Sequence, residues 1–272
     1  PISPEAWRWI FYFGGLGLIG FLLAFKYLEE SPRWLVAQGR VDEAEKVIER
    51  ITGIRISLEE SSKKVEPREN IMETIVGMFS SKYIKRTMVL ICFMALTTPA
   101  TFTVTNWTPL MISKKGFSIE ETLTASFILM IGVPVGCYIA SLISDMGGRK
   151  LPLCAVTGAS AIFAVIFTQV ESLMMLTIVG FCLIAVCMAI GFIAFSYIAE
   201  SYPTRMRNSC VGIHNGIARF SVAGMQKVIP ILSAAGGFTM VYGAVAVLLA
   251  IPIAVVLIWG MRTGGKSLED IS

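Results

Sequence analysis

The chain has 272 residues, 55% of them hydrophobic and 15% charged, with a mean hydropathy of +0.71 and a formal net charge of +4. That balance is too apolar for a soluble domain of this length and argues against a disordered chain or a nucleic-acid binder. One histidine and six cysteines with no CxxC pair leave little from which to build a metal site or a Ser-His-Asp triad, and the cysteines read as small buried hydrophobes. No enzyme or cofactor motif stands out.

Seven apolar runs, at 7–28, 86–112, 121–143, 150–169, 173–198, 209–231 and 238–261, each approach or exceed the roughly 20 residues that cross a bilayer as a helix. The fold class expected is an all-α membrane protein with about seven spans. The first run lacks the basic flank and small-residue cleavage site of a signal peptide.

After it comes the segment 29–85, which holds most of a basic stretch: twelve of the 23 Lys and Arg lie between Lys26 and Arg86. Ser31-Pro32 is a helix start, with an oxygen cap and a proline suited to the first turn, and Gly39 is a stop. Val41, Ala44, Val47, Ile48 and Ile51 then recur at helical spacing, and a second amphipathic stretch runs through Ile71, Ile75, Met78 and Phe79. The intervening "SLEESSKKVEPREN" is polar and turn-rich. Residues 29–85 therefore read as a linker of short helices between two bundles: 1–28 ends one, 86–261 forms the other, and 262–272 is a tail.

The second run, "LTTPATFTVTNWTPLM", is rich in hydroxyls and broken by Pro99 and Pro109, which remove helix hydrogen bonds. Thr98, Phe102 and Asn106 fall on one face, and Trp107 reads as an interfacial anchor. In the fifth run Phe192 and Phe195 stand beside small residues, suited to core packing or to the wall of an apolar solute site. The sixth run carries Arg219 about 15 Å inside its start, too deep to snorkel easily. Asn215, Arg219, Val222 and Gln226 share a face, and Gly212 and Gly216 form a small-xxx-small step. Arg219 is expected to face the bundle interior or a water-filled cavity, either contacting a solute or bonding helix-end carbonyls.

Charge between the runs sets the orientation. With the start outside, the inner segments hold 18 Lys and Arg and the outer ones three, and the short loops alone give six against three. The C-terminus is then cytoplasmic. "SDMGGRK" places Asp145, Arg149 and Lys150 in one short turn, "AESYPTRMR" places Glu200, Arg205 and Arg207 in another, and Glu30 and Arg33 follow the first run. Opposite signs at three junctions suit a network of pairs that closes one face of a carrier. Orientation charges and helix-end contacts are the plainer alternative.

These loops resemble motifs of the major facilitator superfamily, in its sugar-porter-like and organic-ion branches. "ESPRWLVAQGRVDEAEKVI" is similar to the stretch after the sixth helix of such carriers, "DMGGRK" to the turn joining their eighth and ninth helices, "AESYPTRMRN" to their signature after the tenth, and "GGKSLEDI" to their tail. The resemblance implies the sixth helix and the complete second six-helix bundle of a carrier whose two bundles rock about a central site. It gives a gating network of Glu30, Arg33, Asp145, Arg149, Glu200 and Arg207. The implied partners are a small organic solute, a coupling proton, the bilayer and an N-terminal bundle; no cofactor is implied.

Where sugar porters open the helix matching the second run with a glutamine-rich stretch, this chain reads "MALTTPATF". "RNSCVGIHNGIARF" is similar to organic-ion and aromatic-acid carriers, which have an arginine at the position of Arg219. The candidate solute residues are Arg219, Asn215, Asn106, Phe102, Phe192 and Phe195, and the expected solute is an organic or aromatic carboxylate. An organic cation, a sugar and a carrier relative that no longer transports stay open, as does, more remotely, a seven-helix receptor. "GMRTGGKS" matches the spacing of a phosphate loop but follows a membrane span where that loop needs a strand.

Overall fold

The computed structural model describes residues 7–37, 39–54, 57–58, 71–146 and 148–261. The polar stretch around 59–70 and the tail from 262 lie outside the described residues. The chain forms two compact units, Pro1–Arg68 and Glu69–Ser272.

The first unit holds α1 (Trp7–Tyr27), α2 (Pro32–Ala37) and α3 (Val41–Thr52). The side chains of α1 from Arg8 onward are exposed along its length, as suits a helix whose natural surroundings are apolar. Pro32 opens α2, and Gly39 at φ 76° lets the chain turn into α3. Leu35 and Ala44 bury the contact between these two helices. Gly53, at φ 71°, closes α3 by donating its N–H to Glu49 O at 2.8 Å. Glu29 pairs with Arg50 across this unit.

The second unit holds α4 (Ile71–Met78), α5 (Ile84–Ser113), α6 (Ile119–Ile143), α7 (Lys150–Gln169), α8 (Leu173–Glu200) and α9 (Thr204–Trp259). At 1.5 Å per residue the 56 residues of α9 would run about 84 Å, far beyond a bilayer. They do not run straight. Gly236 and Gly237 leave helical geometry, and Gly237 adopts φ 60°, ψ −142°, a conformation essentially reserved for glycine.

The contacts show that the chain reverses there. Trp107 of α5 meets Gln226 and Lys114 meets Ser233, so the first half of α9 runs alongside α5. Phe167, at the end of α7, packs on Phe238 and Tyr242, whereas Lys150, at its start, donates to Leu257 O and Gly260 O. The second half of α9 therefore returns antiparallel to α7. With α1, the described chain has seven segments long enough to span a membrane, six continuous helices of which the last is a hairpin.

Local chemistry fixes the helix ends. Ser118 and Glu121 form a capping box at α6, with Glu121 N–H donating to Ser118 Oγ at 3.2 Å and Ser118 N–H to Glu121 Oε2 at 2.9 Å. Lys115 donates to Val170 O at 2.7 Å and so closes α7, and Arg86 donates to Ser201 O at 2.7 Å beyond α8. Helix α8 lies deepest, with Leu176, Leu183, Ile184, Ile193 and Ile198 fully buried. It packs on α6 at backbone distance: a Cβ on Gly136 would stand 2.1 Å from Ala185 O, and one on Gly132 2.8 Å from Phe181 O.

Two hydroxyl bridges tie the other helices together. Thr108 gives its proton to Val104 O, so the Tyr242 phenol donates to Thr108 Oγ1, at 2.5 Å. By the same logic Thr87 donates to Met78 O and receives the Tyr202 hydroxyl at 2.8 Å, joining α4, α5 and the turn between α8 and α9. Tyrosines serve here because each buries a ring and still satisfies its one polar atom.

Candidate functional site

The helices α5, α8 and the first half of α9 enclose a cavity of about 280 Å³. Helix α5 is shaped for this by its prolines, which deprive the carbonyls of Ala95 and Thr105 of their helical N–H partners. The wall contributed by α5 is a row of hydroxyls at Thr97, Thr98, Thr101 and Thr105, with Phe102 among them. Those hydroxyl protons are largely spoken for. Thr97 donates to Phe93 O at 2.8 Å, Thr101 to Thr98 O at 2.9 Å and Thr105 to Thr101 O at 3.1 Å. The threonines therefore present lone pairs to the cavity, and donors must come from elsewhere.

They come from α9. Asn215 and Arg219, one helical turn apart, both line the cavity. Arg219 lies fifteen residues into α9, about 22 Å from its start, near the middle of the first half. Among the described residues it makes no hydrogen bond or ion pair, and no carboxylate lines the cavity. The opposite wall, from α8, is Phe192 and Phe195 with Ile190, Gly191 and Ala194. A guanidinium with five N–H donors thus faces an apolar, aromatic wall, an arrangement matched by a planar apolar body carrying a carboxylate.

The structure brings together five of the six solute residues expected from the sequence: Arg219, Asn215, Phe102, Phe192 and Phe195. Asn106 is elsewhere. It is exposed, and its amide donates to Phe102 O at 3.0 Å and to Thr105 Oγ1 at 2.9 Å. Trp107 is half-buried, its indole donating to Gln226 Oε1 at 2.7 Å. The lining also includes Met94, Cys187 and Met188, which no motif announces. The threonine row was readable in principle from the i, i+4 spacing of Thr97, Thr101 and Thr105.

At the end of the bundle away from Lys114 and Lys115, a charge cluster joins three helix ends. Arg149 donates from Nε to Glu200 Oε1 at 2.9 Å and pairs with it through Nη2 at 2.7 Å. It also pairs with Asp145 and donates to Ser144 Oγ. Gly148, at φ 82°, permits the turn that delivers it. Only 18% of the Arg149 side chain is exposed, against 81% for Asp145, so the Glu200 bond dominates. That bond holds the guanidinium above its ordinary basicity. Arg207 is half-buried on the first turn of α9. Glu30 is exposed in the first unit, and the side chains of Arg33 and Arg205 lie outside the described residues.

Comparison with known proteins gives a consistent picture. Residues 2–272 match the family described as "Sugar (and other) transporter". The inner membrane metabolite transport protein YdjE of Escherichia coli is 30% identical, covering 100% of this chain and 62% of its own length. The niacin transporter NiaP of Acinetobacter baylyi is 26% identical, over 99% of this chain and 62% of its own. The arabinose-proton symporter of Bacillus subtilis is 25% identical, over 97% and 59%. Among solved structures, the proton:xylose symporter XylE of the major facilitator superfamily superposes with a TM-score of 0.71 at 17% identity, covering 99% of this chain and 59% of XylE. The chain thus spans about three fifths of the length of the relatives it matches.

Proposed function

Because the chain belongs to the sugar (and other) transporter family, with the fold of the major facilitator superfamily, we propose that it forms one wall of a carrier that moves a small organic carboxylate across a membrane by alternating access. The observation that carries this reading is Arg219. It stands at mid-helix in the cavity, without a counter-ion among the described residues, facing Phe192 and Phe195. A cation at mid-span left unpaired in a membrane costs several kcal/mol, so a site that keeps one is built for an anion to complete. Thr97, Thr101 and Thr105 already give their hydroxyl protons to backbone carbonyls, so the donors offered to a solute are Asn215 and the cationic Arg219, which suit a carboxylate. A relative described as a niacin transporter supports the same choice. Relatives described as proton symporters support coupling to protons.

In this reading Asp145, Arg149 and Glu200, with Glu30, Arg33 and Arg207, close the cytoplasmic face. The pairs hold while that face is shut and separate when it opens. The chain starts outside and ends inside, as the positive-inside count requires. Arg149 already bonds helix ends on both sides of its turn, as a latch must.

The test is uptake by the full-length carrier in proteoliposomes. Labelled benzoate or nicotinate is offered with excess unlabelled acid, sugar or organic cation as competitor. Saturable uptake displaced only by the acid supports the carboxylate. Displacement by the sugar or the cation, or no uptake, overturns it.

A further inference from the structure

The sixth apolar run holds a second cation. From Asn215, the i, i+4 row along α9 continues through Arg219 and Ala223 to Lys227, which stands about 12 Å beyond Arg219 toward the hairpin turn. Lys227 is exposed, and among the described residues it makes no hydrogen bond or ion pair. Roughly 9 Å further along the same helix, the Ser233 hydroxyl receives Lys114 Nζ at 3.0 Å. Lys114, Lys115, Ser233 and Phe238 line a second cavity, of about 380 Å³, at the hairpin turn. Lys115 is committed to its structure, donating to Val170 O and lying 4.4 Å from the Phe238 ring centroid. Among the described residues the Lys114 ammonium holds only the Ser233 hydroxyl.

This row carries two cations, with Phe220 and Val228 exposed beside it, where the middle of the exposed side of α6 is apolar. Helix α6 exposes Leu123, Phe127, Ile131 and Leu142, as contact with acyl chains demands. Beside the α9 row stand Gly212 and Gly216, where an added Cβ would meet nothing within 4 Å. Cations spaced by about a Debye length along a low-dielectric wall sum their fields and raise the local concentration of anions.

We propose that Lys227, with Lys114 ahead of it, is a second anion-holding station, which takes the carboxylate of the solute between the hairpin end of the bundle and Arg219. This rests on the carboxylate reading above and adds a residue and a path to it. Lys227 acts by capturing the solute's charge. Its contribution therefore appears in kcat/KM and in the dependence on ionic strength, and less in the maximal rate once the cavity is filled.

The experiment measures initial rates of labelled benzoate uptake by the full-length carrier at low and at high salt, for the parent, Lys227→Gln and Lys227→Arg. Lys227→Gln is expected to lower kcat/KM about 5- to 10-fold at low salt, to flatten the salt dependence and to leave the maximal rate within about twofold. Lys227→Arg, which keeps the charge, is expected to restore both. A lysine that merely snorkels past lipid would leave the salt dependence unchanged in Lys227→Gln, and that result overturns the station while leaving the carboxylate reading intact. A parent protein that transports no carboxylate overturns both. A loss shared equally by Lys227→Gln and Lys227→Arg also overturns it, because a structural role, not charge, would then be at work.

Discussion

Two helices of the second unit carry glycines in apolar surroundings, and they use them in opposite ways. On α6, Gly132 and Gly136 let the α8 backbone approach so closely that any Cβ would collide with a carbonyl oxygen. On the first half of α9, Gly212, Gly216 and Gly224 face nothing within 4 Å, and Arg219 and Lys227 stand beside them. The same residue type locks one interface and keeps another surface clear. The α6–α8 contact is held at backbone distance, whereas in the proposed function the α5–α9 seam is where charge meets the solute.

The sharpest way to break that contrast is to enlarge the two kinds of glycine. Gly136→Val should be the most damaging single change in the bundle. Its side chain would begin 2.1 Å from Ala185 O, and backbone has no rotamer with which to yield. Overpacking of a tight contact costs about 1–3 kcal/mol, and more where only backbone can move. We expect loss of monodisperse protein on size exclusion. Recovery of a Gly136→Val protein with the parent's melting temperature would show that α6 and α8 are not locked by this contact.

Arg219→Gln should do the reverse, sparing the fold and removing function. Charge-assisted hydrogen bonds are worth about 1.5–3 kcal/mol, which corresponds to a 10- to 100-fold fall in kcat/KM for the carboxylate. Because Arg219 is exposed to the cavity and carries no bond among the described residues, the melting temperature should not fall. A drop in stability without a change in uptake would return this arginine to a structural role.

Glu200→Gln lies between these extremes. It removes the charge partner of Arg149 while keeping a side chain able to accept one hydrogen bond. The pair is partly exposed, at 18% and 25%, so the cost falls between the small value of a surface pair and the 3–5 kcal/mol of a fully buried one, at about 1–2 kcal/mol. Added salt should reproduce little of this loss, since the pair is mostly sheltered. A closing latch also predicts that the variant shifts the carrier toward the state open on that face, read as faster labelling of a cysteine placed at position 144. Unchanged labelling would make the pair a plain helix-end tie.

Much of this arrangement was legible in the sequence, for definite physical reasons. Apolar length and charge-free windows fix the spans, so α7 covers the expected 150–169 and the others differ by a few residues at their ends. Those ends moved because caps, not hydropathy, set them. Helix α9 begins at Thr204, five residues before its apolar run, directly after Pro203 in extended geometry at ψ 154°. The Asn215–Arg219 pairing was readable because helical periodicity places residues four apart on one face. The same rule misplaces Asn106: it is four residues from Phe102, but its short amide bonds back to the helix's own carbonyl and turns out of the cavity. The Trp107–Gln226 bond joins positions 119 residues apart, which no local pattern encodes. Lys227 is ambiguous by sequence because a lysine near a helix end reads equally as a snorkelling anchor. The station proposed for it rests on the row through Ala223 to Arg219, and the salt dependence of Lys227→Gln separates the two.

The smallest effect is the most discriminating. Gly216→Ala puts one methyl group into open space on α9. By helix propensity alone it should stabilise the bundle by about 1 kcal/mol, a rise of a few degrees in melting temperature. If nothing ever approaches this surface, uptake should be unaffected and the gain simply kept. If the face lines the solute's passage, the same variant should be more stable yet slower, with kcat/KM reduced a fewfold and the reduction growing as the aromatic ring of the test acid is enlarged. A stability gain whose cost depends on solute size links the open glycines to the passage, whereas a cost independent of solute size assigns them to contact with another helix, as the small-xxx-small step at Gly212 and Gly216 allows.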